Sequence, residues 1–144
     1  MNILFSIPPS KGKRNIFRGI DCSHDAKADY LWQPYDLLIM SSYIKDEDNF
    51  HFIDGTVEKN NEKEFFTRFD NIKKDIIDVI VICTGSASYH DDIYYMEKLR
   101  KMFFNTTICV LGDIFVDEYF RKDILEKDFD GIIFKPYNIN FEDI

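Results

Sequence analysis

The chain lacks the motifs that mark the most common nucleotide and metal sites. It has six glycines and three cysteines in 144 residues, and neither G-x-G-x-x-G nor G-x-x-x-x-G-K-[ST] occurs. Glycines in these motifs let the backbone approach a phosphate group closely, so their absence argues against a dinucleotide or P-loop site. No C-x-x-C pair occurs, which argues against a zinc knuckle, and the isolated cysteines form no disulfide framework.

Positive charge is also scarce. Lysine and arginine number 18 against 26 aspartates and glutamates, giving a formal net charge of −8. Because binding to a phosphate backbone depends on clustered basic residues, this composition argues against a nucleic-acid partner. The one basic cluster consists of Lys11, Lys13, Arg14 and Arg18. We interpret it as a solvated loop, with contact to an anionic group as the alternative.

Long apolar runs are missing as well. None approaches the ~18 residues of a membrane-spanning helix. The first apolar run begins at Asn2, which leaves no room for a signal peptide. We therefore expect a soluble, cytoplasmic protein with no membrane span. Cys83 and Cys109 lie within apolar runs and are predicted to be buried.

Short apolar runs predict five β-strands, at residues 2–7, 50–55, 78–83, 106–112 and 131–136. They are mostly continuous rather than alternating, which is typical of strands covered on both faces of a parallel sheet. Helical patterns lie between them, at residues 34–44, 62–74, 91–103 and 117–126. This alternation predicts one α/β domain over residues 1–144. Its fold would be a doubly wound, Rossmann-like parallel sheet of order 2-1-3-4-5 with helices on both faces.

Such a sheet binds ligands beyond the carboxyl ends of its strands, where the strand order reverses. In this chain that crevice would lie between the first and third predicted strands. Small residues that allow close approach follow two strands, in Thr84-Gly85-Ser86 and at Gly112. The segment at residues 7–34 far exceeds the ~2–6 residues usual for a strand-to-helix loop. We expect it to cover a ligand in the crevice.

Two other occupants of this fold match the sequence less well. Lys135-Pro136 resembles the end of the fifth strand in phosphoacceptor signalling domains. Those domains also need a nucleophilic aspartate after the third strand, where this chain has Cys83-Thr84-Gly85. Pro8-Pro9-Ser10 is a poor match to the Ser/Thr-rich phosphate loop of a flavodoxin-like FMN site.

A hydrolytic site is equally hard to assemble. Ser86, Ser88 and His90 lie close together in sequence, but no G-x-S-x-G elbow accompanies them. We interpret all three histidines, at 24, 51 and 90, as ordinary surface or loop residues. Asp91-Asp92 is interpreted as favourable charge at a helix start. We therefore predict no catalytic residue and no metal ligand.

One known family matches in order and spacing along nearly the whole chain. The first strand ends in Ile7-Pro8-Pro9 and a long loop follows. The later matches are PYDLLIMSSYI (34–44), FIDG (52–55), DVIVICT (78–84), KLRK (98–101), VLGD (110–113) and DGII (130–133). The chain resembles the N-terminal cobalamin (B12)-binding domain of B12-dependent radical SAM enzymes. That group contains the magnesium-protoporphyrin ester cyclase and many methyltransferases.

The resemblance implies a cobalamin at the strand ends. The residues that it assigns to cobalamin binding are Pro8, Pro9, Ser10, Thr84, Gly85, Ser86, Gly112 and Asp113. It further implies a longer enzyme whose C-terminal radical SAM domain holds a [4Fe–4S] cluster and S-adenosyl-L-methionine. That enzyme would perform methyl transfer or a radical rearrangement or cyclisation. The cofactor supplies such chemistry and the protein positions it.

The chain departs from the family pattern at several points. Asp113 replaces the second glycine of a Gly-Gly pair, and KPYN (135–138) replaces G-E-G-E. Neither the cobalt-ligating D-x-H-x-x-G nor the cluster-binding C-x-x-x-C-x-x-C occurs. Asp113 and the missing G-E-G-E favour an alternative, a degenerate Rossmann-like structural or docking module that no longer binds cobalamin. Another small-ligand α/β protein is a further alternative.

Overall fold

The computed structural model of the protein describes residues 1–11, 15–19, 24–25, 33–72, 77–137 and 139–144. The strands in this part of the chain are β1 (Asn2–Ile7), β2 (Ile16–Phe17), β3 (His24–Asp25), β4 (Asn49–Asp54), β5 (Val79–Cys83), β6 (Thr107–Leu111) and β7 (Gly131–Ile133). The helices are α1 (Tyr35–Ser41), α2 (Glu62–Ile72), α3 (Tyr89–Met102) and α4 (Glu118–Leu125), with 3₁₀ turns η1 (Asp113–Val116) and η2 (Phe141–Asp143).

Five strands form one parallel sheet in the order β4-β1-β5-β6-β7. Numbered among themselves, these strands have the order 2-1-3-4-5, so the predicted Rossmann-like topology is confirmed. The last strand is shorter than predicted, because it ends at Ile133 and not at residue 136. The two-residue strands β2 and β3 form a separate antiparallel pair that the sequence did not predict.

The three inner strands, β1, β5 and β6, are buried on both faces, which explains their continuous apolar sequences. One face packs against α2, α3 and α4, and its fully buried residues include Leu4, Ile80, Ile82, Phe65, Phe69, Met96, Leu99 and Ile124. The other face packs against α1 and η2 through Ile3, Phe5, Val79, Val81, Leu37, Met40 and Phe141. Burying each such side chain contributes about 1.5–3 kcal/mol. The prediction of helices on both faces is therefore confirmed.

Helix α1 is shorter than its predicted range of 34–44, because it ends at Ser41. The hydroxyl of Ser41 donates to the carbonyl of Leu38, and that of Ser42 donates to the carbonyl of Ile39. Serine hydroxyls that bond nearby carbonyls compete with the helical pattern. In the described part of the chain, no helix has both the length and the apolar character needed to cross a bilayer.

Candidate functional site

The first group of predicted site residues follows β5 and β6, at the carboxyl edge of the sheet. Its members are Thr84, Gly85, Ser86, Gly112 and Asp113. Asp113 joins the two loops, because its carboxylate accepts hydrogen bonds from the Ser86 amide at 2.8 Å and the Ser86 hydroxyl at 3.0 Å. The Thr84 amide donates to the carbonyl of Leu111 at 2.8 Å, which extends the pairing of the two strands.

The second group, Pro8, Pro9 and Ser10, follows β1. It lies against the turn after β4. The Thr56 hydroxyl donates to the carbonyl of Pro8 at 3.0 Å and lies 3.2 Å from the hydroxyl oxygen of Ser10. Both groups therefore lie where the sequence placed them, at the carboxyl ends of neighbouring strands.

A segment of the long loop lies between these two groups. We call residues Ile16–Gly19 the strap; all four are buried. The Gly19 amide donates to the carbonyl of Thr84 at 3.2 Å, and the Asp113 amide donates to the carbonyl of Gly19 at 3.0 Å. The backbone of the strap therefore pairs with the loops after both β5 and β6. It lies in the crevice where this fold places its ligand.

Arg18 anchors the strap. Its side chain is 1% exposed and its guanidinium has a partner for each of its five N–H groups. Nε and Nη2 donate to the two carboxylate oxygens of Asp92, each at 2.8 Å. Nη1 donates to the carbonyl of Ile16 at 3.2 Å and the hydroxyl of Thr56 at 3.0 Å, and Nη2 donates to the carbonyl of Pro9 at 3.4 Å. The guanidinium therefore connects the end of β1, the turn after β4 and the start of α3.

Asp92 is the fully buried partner of this arginine, in the first turn of α3. Besides the two bonds from Arg18, its Oδ2 accepts hydrogen bonds from the hydroxyls of Thr84 at 2.8 Å and Ser88 at 2.6 Å. Bidentate pairing with full hydrogen bonding is the condition under which a buried ion pair is tolerated.

These contacts correct two interpretations from the sequence. The solvated-loop reading is wrong for Arg18, which is buried. It holds for Lys11, whose exposed ammonium lies 2.9 Å from the carboxylate of Asp91, and Lys13 and Arg14 lie outside the described residues. The reading of Asp91-Asp92 as helix-start charge is incomplete, because Asp92 forms the buried pair with Arg18.

Two glycines allow this close packing. A Cβ at Gly112 would lie 2.8 Å from the carbonyl oxygen of Thr84 and 3.0 Å from its Cγ2. The missing side chain at Gly112 therefore leaves room for Thr84, whereas the sequence suggested that it leaves room for a ligand. Gly19 has a φ of +152°, and a Cβ there would lie 2.5 Å from Oδ2 of Asp36. The residue after Arg18 in the strap is thus restricted to glycine by conformation and by space.

The described residues do not fit a corrin in this arrangement. Thr84 is fully buried and Gly112 is buried, while the strap covers the strand ends between them and Pro9. Ser86 is exposed, but its amide and hydroxyl both bond Asp113. Cobalamin would have to displace the strap before it could reach the residues assigned to it.

Burial governs the ionisation of the groups nearest the crevice. The carboxylate of Asp54 accepts bonds from the amides of Thr56 at 3.0 Å and Val57 at 2.9 Å. Burial nevertheless raises the pKa of Asp54 above its ordinary value, against the lowering effect of these bonds and of Arg18. Burial also raises the pKa of the Cys83 thiol, and it raises that of Cys109 to about 11. Both cysteines are buried, as predicted, and neither is an activated thiolate.

The polar side chains considered for hydrolysis have other partners. The hydroxyls of Ser86 and Ser88 donate to Asp113 and Asp92. The His90 ring packs edge-on against Tyr89 and Phe120. Within the described ranges, no cluster of three or more His, Cys, Asp or Glu side chains is arranged to hold a metal ion.

No family model matches the chain, and no curated protein or solved structure matches it either. The geometry of the crevice is therefore the main guide to function.

Sequence reasoning named Arg18 and Asp92, the two residues at the centre of the site, but assigned neither of them to it. They lie 74 positions apart, and nothing local to either residue signals the other. The one usable signal was a glycine directly after an arginine, Arg18-Gly19, within a loop too long for its position.

Proposed function

We propose that the chain is a non-catalytic Rossmann-like module, a structural or docking domain whose ligand crevice is filled by its own strap. The observation that carries this proposal is the Arg18 guanidinium, which is buried at the strand ends with all five N–H groups bonded. If the strap left the crevice, the Asp92 carboxylate would lose its counter-charge, and an uncompensated buried charge costs about 3–5 kcal/mol. A ligand for the crevice would have to offset this cost before contributing any affinity.

The chemistry around the crevice supports the same proposal. The nearest thiol, Cys83, is buried with a raised pKa. The nearest hydroxyls, on Thr84 and Ser88, donate to Asp92, and that carboxylate accepts four hydrogen bonds. A general base needs a free acceptor within reach of its substrate. The Asp92 carboxylate does not offer one, because both of its oxygens already accept hydrogen bonds.

Cobalamin binding is the second candidate. It is favoured by the convergence of the residues that the family resemblance assigns to it, because both groups lie at adjoining strand ends. This candidate requires the strap to leave the crevice. Bound cobalamin would supply the methyl-transfer or radical chemistry of the enzymes that the chain resembles. The [4Fe–4S] cluster and S-adenosyl-L-methionine would belong to a C-terminal domain of a longer protein.

Titration with hydroxocobalamin, followed by desalting, separates the two candidates. A filled crevice predicts that no corrin absorbance is retained by the wild-type protein. Retention by the wild type, lost in Gly112→Trp, would overturn the proposal and place the cofactor at the strand ends. Phe104→Trp is the matched control, because Phe104 is 75% exposed in the turn that precedes β6, at the other end of the sheet. Retention that survives Gly112→Trp would place the corrin outside the crevice.

A further inference from the structure

Most of the groups that accept hydrogen bonds from the Arg18 guanidinium lie outside the strap. Asp92 lies in the first turn of α3, Thr56 in the turn after β4, and Pro9 after the end of β1. They accept four of the five hydrogen bonds, and only the carbonyl of Ile16 belongs to the strap itself. These acceptors would therefore remain at the strand ends if the strap left the crevice.

The carboxylate of Asp92 is held in position by groups other than Arg18. Its Oδ2 accepts hydrogen bonds from the hydroxyls of Thr84, which follows β5, and Ser88, which directly precedes α3. Both of these residues are buried with Asp92. Because the carboxylate is oriented without the guanidinium, the site is formed before its ligand binds, which lowers the entropic cost of binding.

The geometry at Asp92 selects one class of cation. Nε and Nη2 of Arg18 donate to the two carboxylate oxygens, each at 2.8 Å. A planar fork of N–H donors matches a carboxylate in this way, whereas an ammonium group is a point charge with three rotatable donors. The hydroxyl of Thr56 and the carbonyl of Pro9 accept from the remaining edge of the same plane.

The sign of the charge in the crevice argues against an anionic ligand. In the part of the chain that the structure describes, the buried charged residues are three aspartates and one arginine: Asp36, Asp54, Asp92 and Arg18. Oδ2 of Asp36 lies beside Gly19 of the strap, and the Asp54 carboxylate bonds the amide of Thr56. A phosphate or carboxylate that entered without the strap would meet this excess of negative charge in a buried site.

A guanidinium ligand would instead remove the cost of opening the crevice. Departure of the strap leaves the buried Asp92 carboxylate without its counter-charge. A neutral ligand leaves that charge uncompensated, whereas a guanidinium restores both the charge and the paired hydrogen bonds.

We propose that the crevice is a guanidinium-binding site for which Arg18 serves as a tethered ligand. The ligand that takes the place of Arg18 is a guanidinium cation, either the arginine side chain of a partner or a free guanidino compound. The inference rests on the proposed function, because it requires that Arg18 fills the crevice. It deepens that function by naming the chemical group that a docking partner offers.

Refolding Arg18→Ala in the presence of ethylguanidinium tests the proposal, because ethylguanidinium has the atoms that this substitution removes beyond Cβ. We expect the urea midpoint of the variant to rise once the ligand exceeds a Kd of about 1–10 mM. At ten times its Kd, the ligand should raise the folding equilibrium constant about tenfold. The wild type should not respond, because its own Arg18 occupies the site.

One matched ligand and two matched variants control this experiment. Butylammonium carries one positive charge but no planar fork, so it should need at least about tenfold higher concentration for the same effect. Arg18→Ala/Asp92→Asn lacks the carboxylate, and Lys11→Ala lacks the exposed cation beside Asp91, so neither should respond to ethylguanidinium. The proposal is overturned by no response of Arg18→Ala up to about 50 mM. An equal response to butylammonium, or in either control variant, would overturn it as well.

Arg18→Lys tests the same selectivity without an added ligand. It keeps the positive charge but cannot bond both oxygens of Asp92 through a planar fork, so its folding equilibrium constant should be at least about tenfold below that of the wild type. A variant as stable as the wild type would overturn the proposal. So would an Arg18→Ala chain that stays unfolded with ethylguanidinium while Arg18→Lys folds.

N-acetylarginylglycinamide distinguishes the two sources of the guanidinium. In the strap, the amide and carbonyl of Gly19 bond Thr84 and Asp113, so a partner's Arg-Gly segment would gain the same bonds by displacing the strap. Stabilisation of Arg18→Ala by this dipeptide at lower concentration than by ethylguanidinium would support a partner's arginine. Stabilisation by ethylguanidinium alone would support a free guanidino compound.

The guanidinium site and the proposed function fail separately. Retention of hydroxocobalamin by the wild type, lost in Gly112→Trp, would remove the proposed function whatever Arg18→Ala does. An Arg18→Ala variant that does not respond to ethylguanidinium, in a protein that retains no corrin, would remove the guanidinium site alone.

Discussion

The carboxyl-end crevice and the outer edge of β4 are both places where an open parallel sheet leaves backbone groups unpaired. At the crevice the chain satisfies these groups itself, through the Gly19 backbone and the Arg18–Asp92 pair. Along β4, by contrast, Phe50 and Phe52 stay exposed beside outward backbone groups. The difference teaches that the chain fills its usual ligand crevice with its own backbone and side chains, whereas no strand among the described residues pairs with the outer side of β4.

The largest effect should come from removing the strap's anchor. We expect Arg18→Ala to lower the free energy of unfolding by about 3–5 kcal/mol, because Asp92 would remain buried without its counter-charge. Urea denaturation measures this loss. Lys11→Ala is the matched control, since Lys11 comes from the same loop and pairs with the adjacent Asp91, but both side chains are about half exposed. It should cost at most about 1 kcal/mol.

Equal losses for the two variants would contradict the account. They would mean that Arg18 is as solvated as Lys11 and that the crevice is open in solution.

The next effect concerns the backbone of the strap. Gly19→Ala should destabilise the protein by about 1–3 kcal/mol, because φ is +152° and the new methyl would meet Asp36. Gly131→Ala, in β7, provides the comparison, since its nearest contact is a single side-chain atom, Sγ of Cys109, at 3.2 Å. Thermal unfolding of both variants measures the difference. If Gly19→Ala destabilises the protein no more than Gly131→Ala does, the strap is not packed in the crevice.

A smaller effect should depend on pH. Burial raises the pKa of Asp54, so its protonated form is favoured in the folded state. Its contribution to stability is present below the unfolded pKa of about 3.9 and is lost as pH rises through the folded pKa. Asp54→Asn keeps an acceptor for the Thr56 and Val57 amides. Its stability relative to the wild type should therefore increase between about pH 4 and about pH 7.

Urea denaturation at the two pH values reads out this change. A relative stability that falls over the same interval would mean that the Asp54 carboxylate is stabilised, not penalised, by its surroundings.

The smallest effect on folding should come from the edge. Phe52→Lys should change the free energy of unfolding by less than about 1 kcal/mol, because the side chain is partly exposed. Urea denaturation measures the change. Crevice variants would then alter stability much more than the edge variant does. A loss of stability in Phe52→Lys as large as that in Arg18→Ala would contradict this difference and would assign Phe52 to the core.

The sequence predicted the sheet well, because runs such as VIVIC over β5 are buried along their whole length. A continuous apolar run reports this burial directly. The same reasoning failed for β7, where Phe134 and Lys135 continue the predicted strand but are exposed after it ends. It also placed Thr84 and Gly112 at the strand ends, since their positions follow from the strand boundaries.

What sequence reasoning could not reach was the neighbour of each site residue. Whether Gly112 faces a ligand or the carbonyl of Thr84 depends on the packing of two loops. Whether Arg18 is solvated or buried depends on Asp92, which is distant in sequence and adjacent only in the folded crevice. Two-residue strands such as β2 are too short to give any periodic signal.

Amide hydrogen exchange at Gly19 and Asp113 tests the central claim most directly. Their amides bond the carbonyl of Thr84 and the carbonyl of Gly19 across the crevice. If the strap fills the crevice, both protons should exchange as slowly as those of Ile80 and Ile82 in the central strand β5, through global unfolding. Exchange at the rate of an exposed loop, while Ile80 and Ile82 stay protected, would show that the crevice opens freely and would contradict the account.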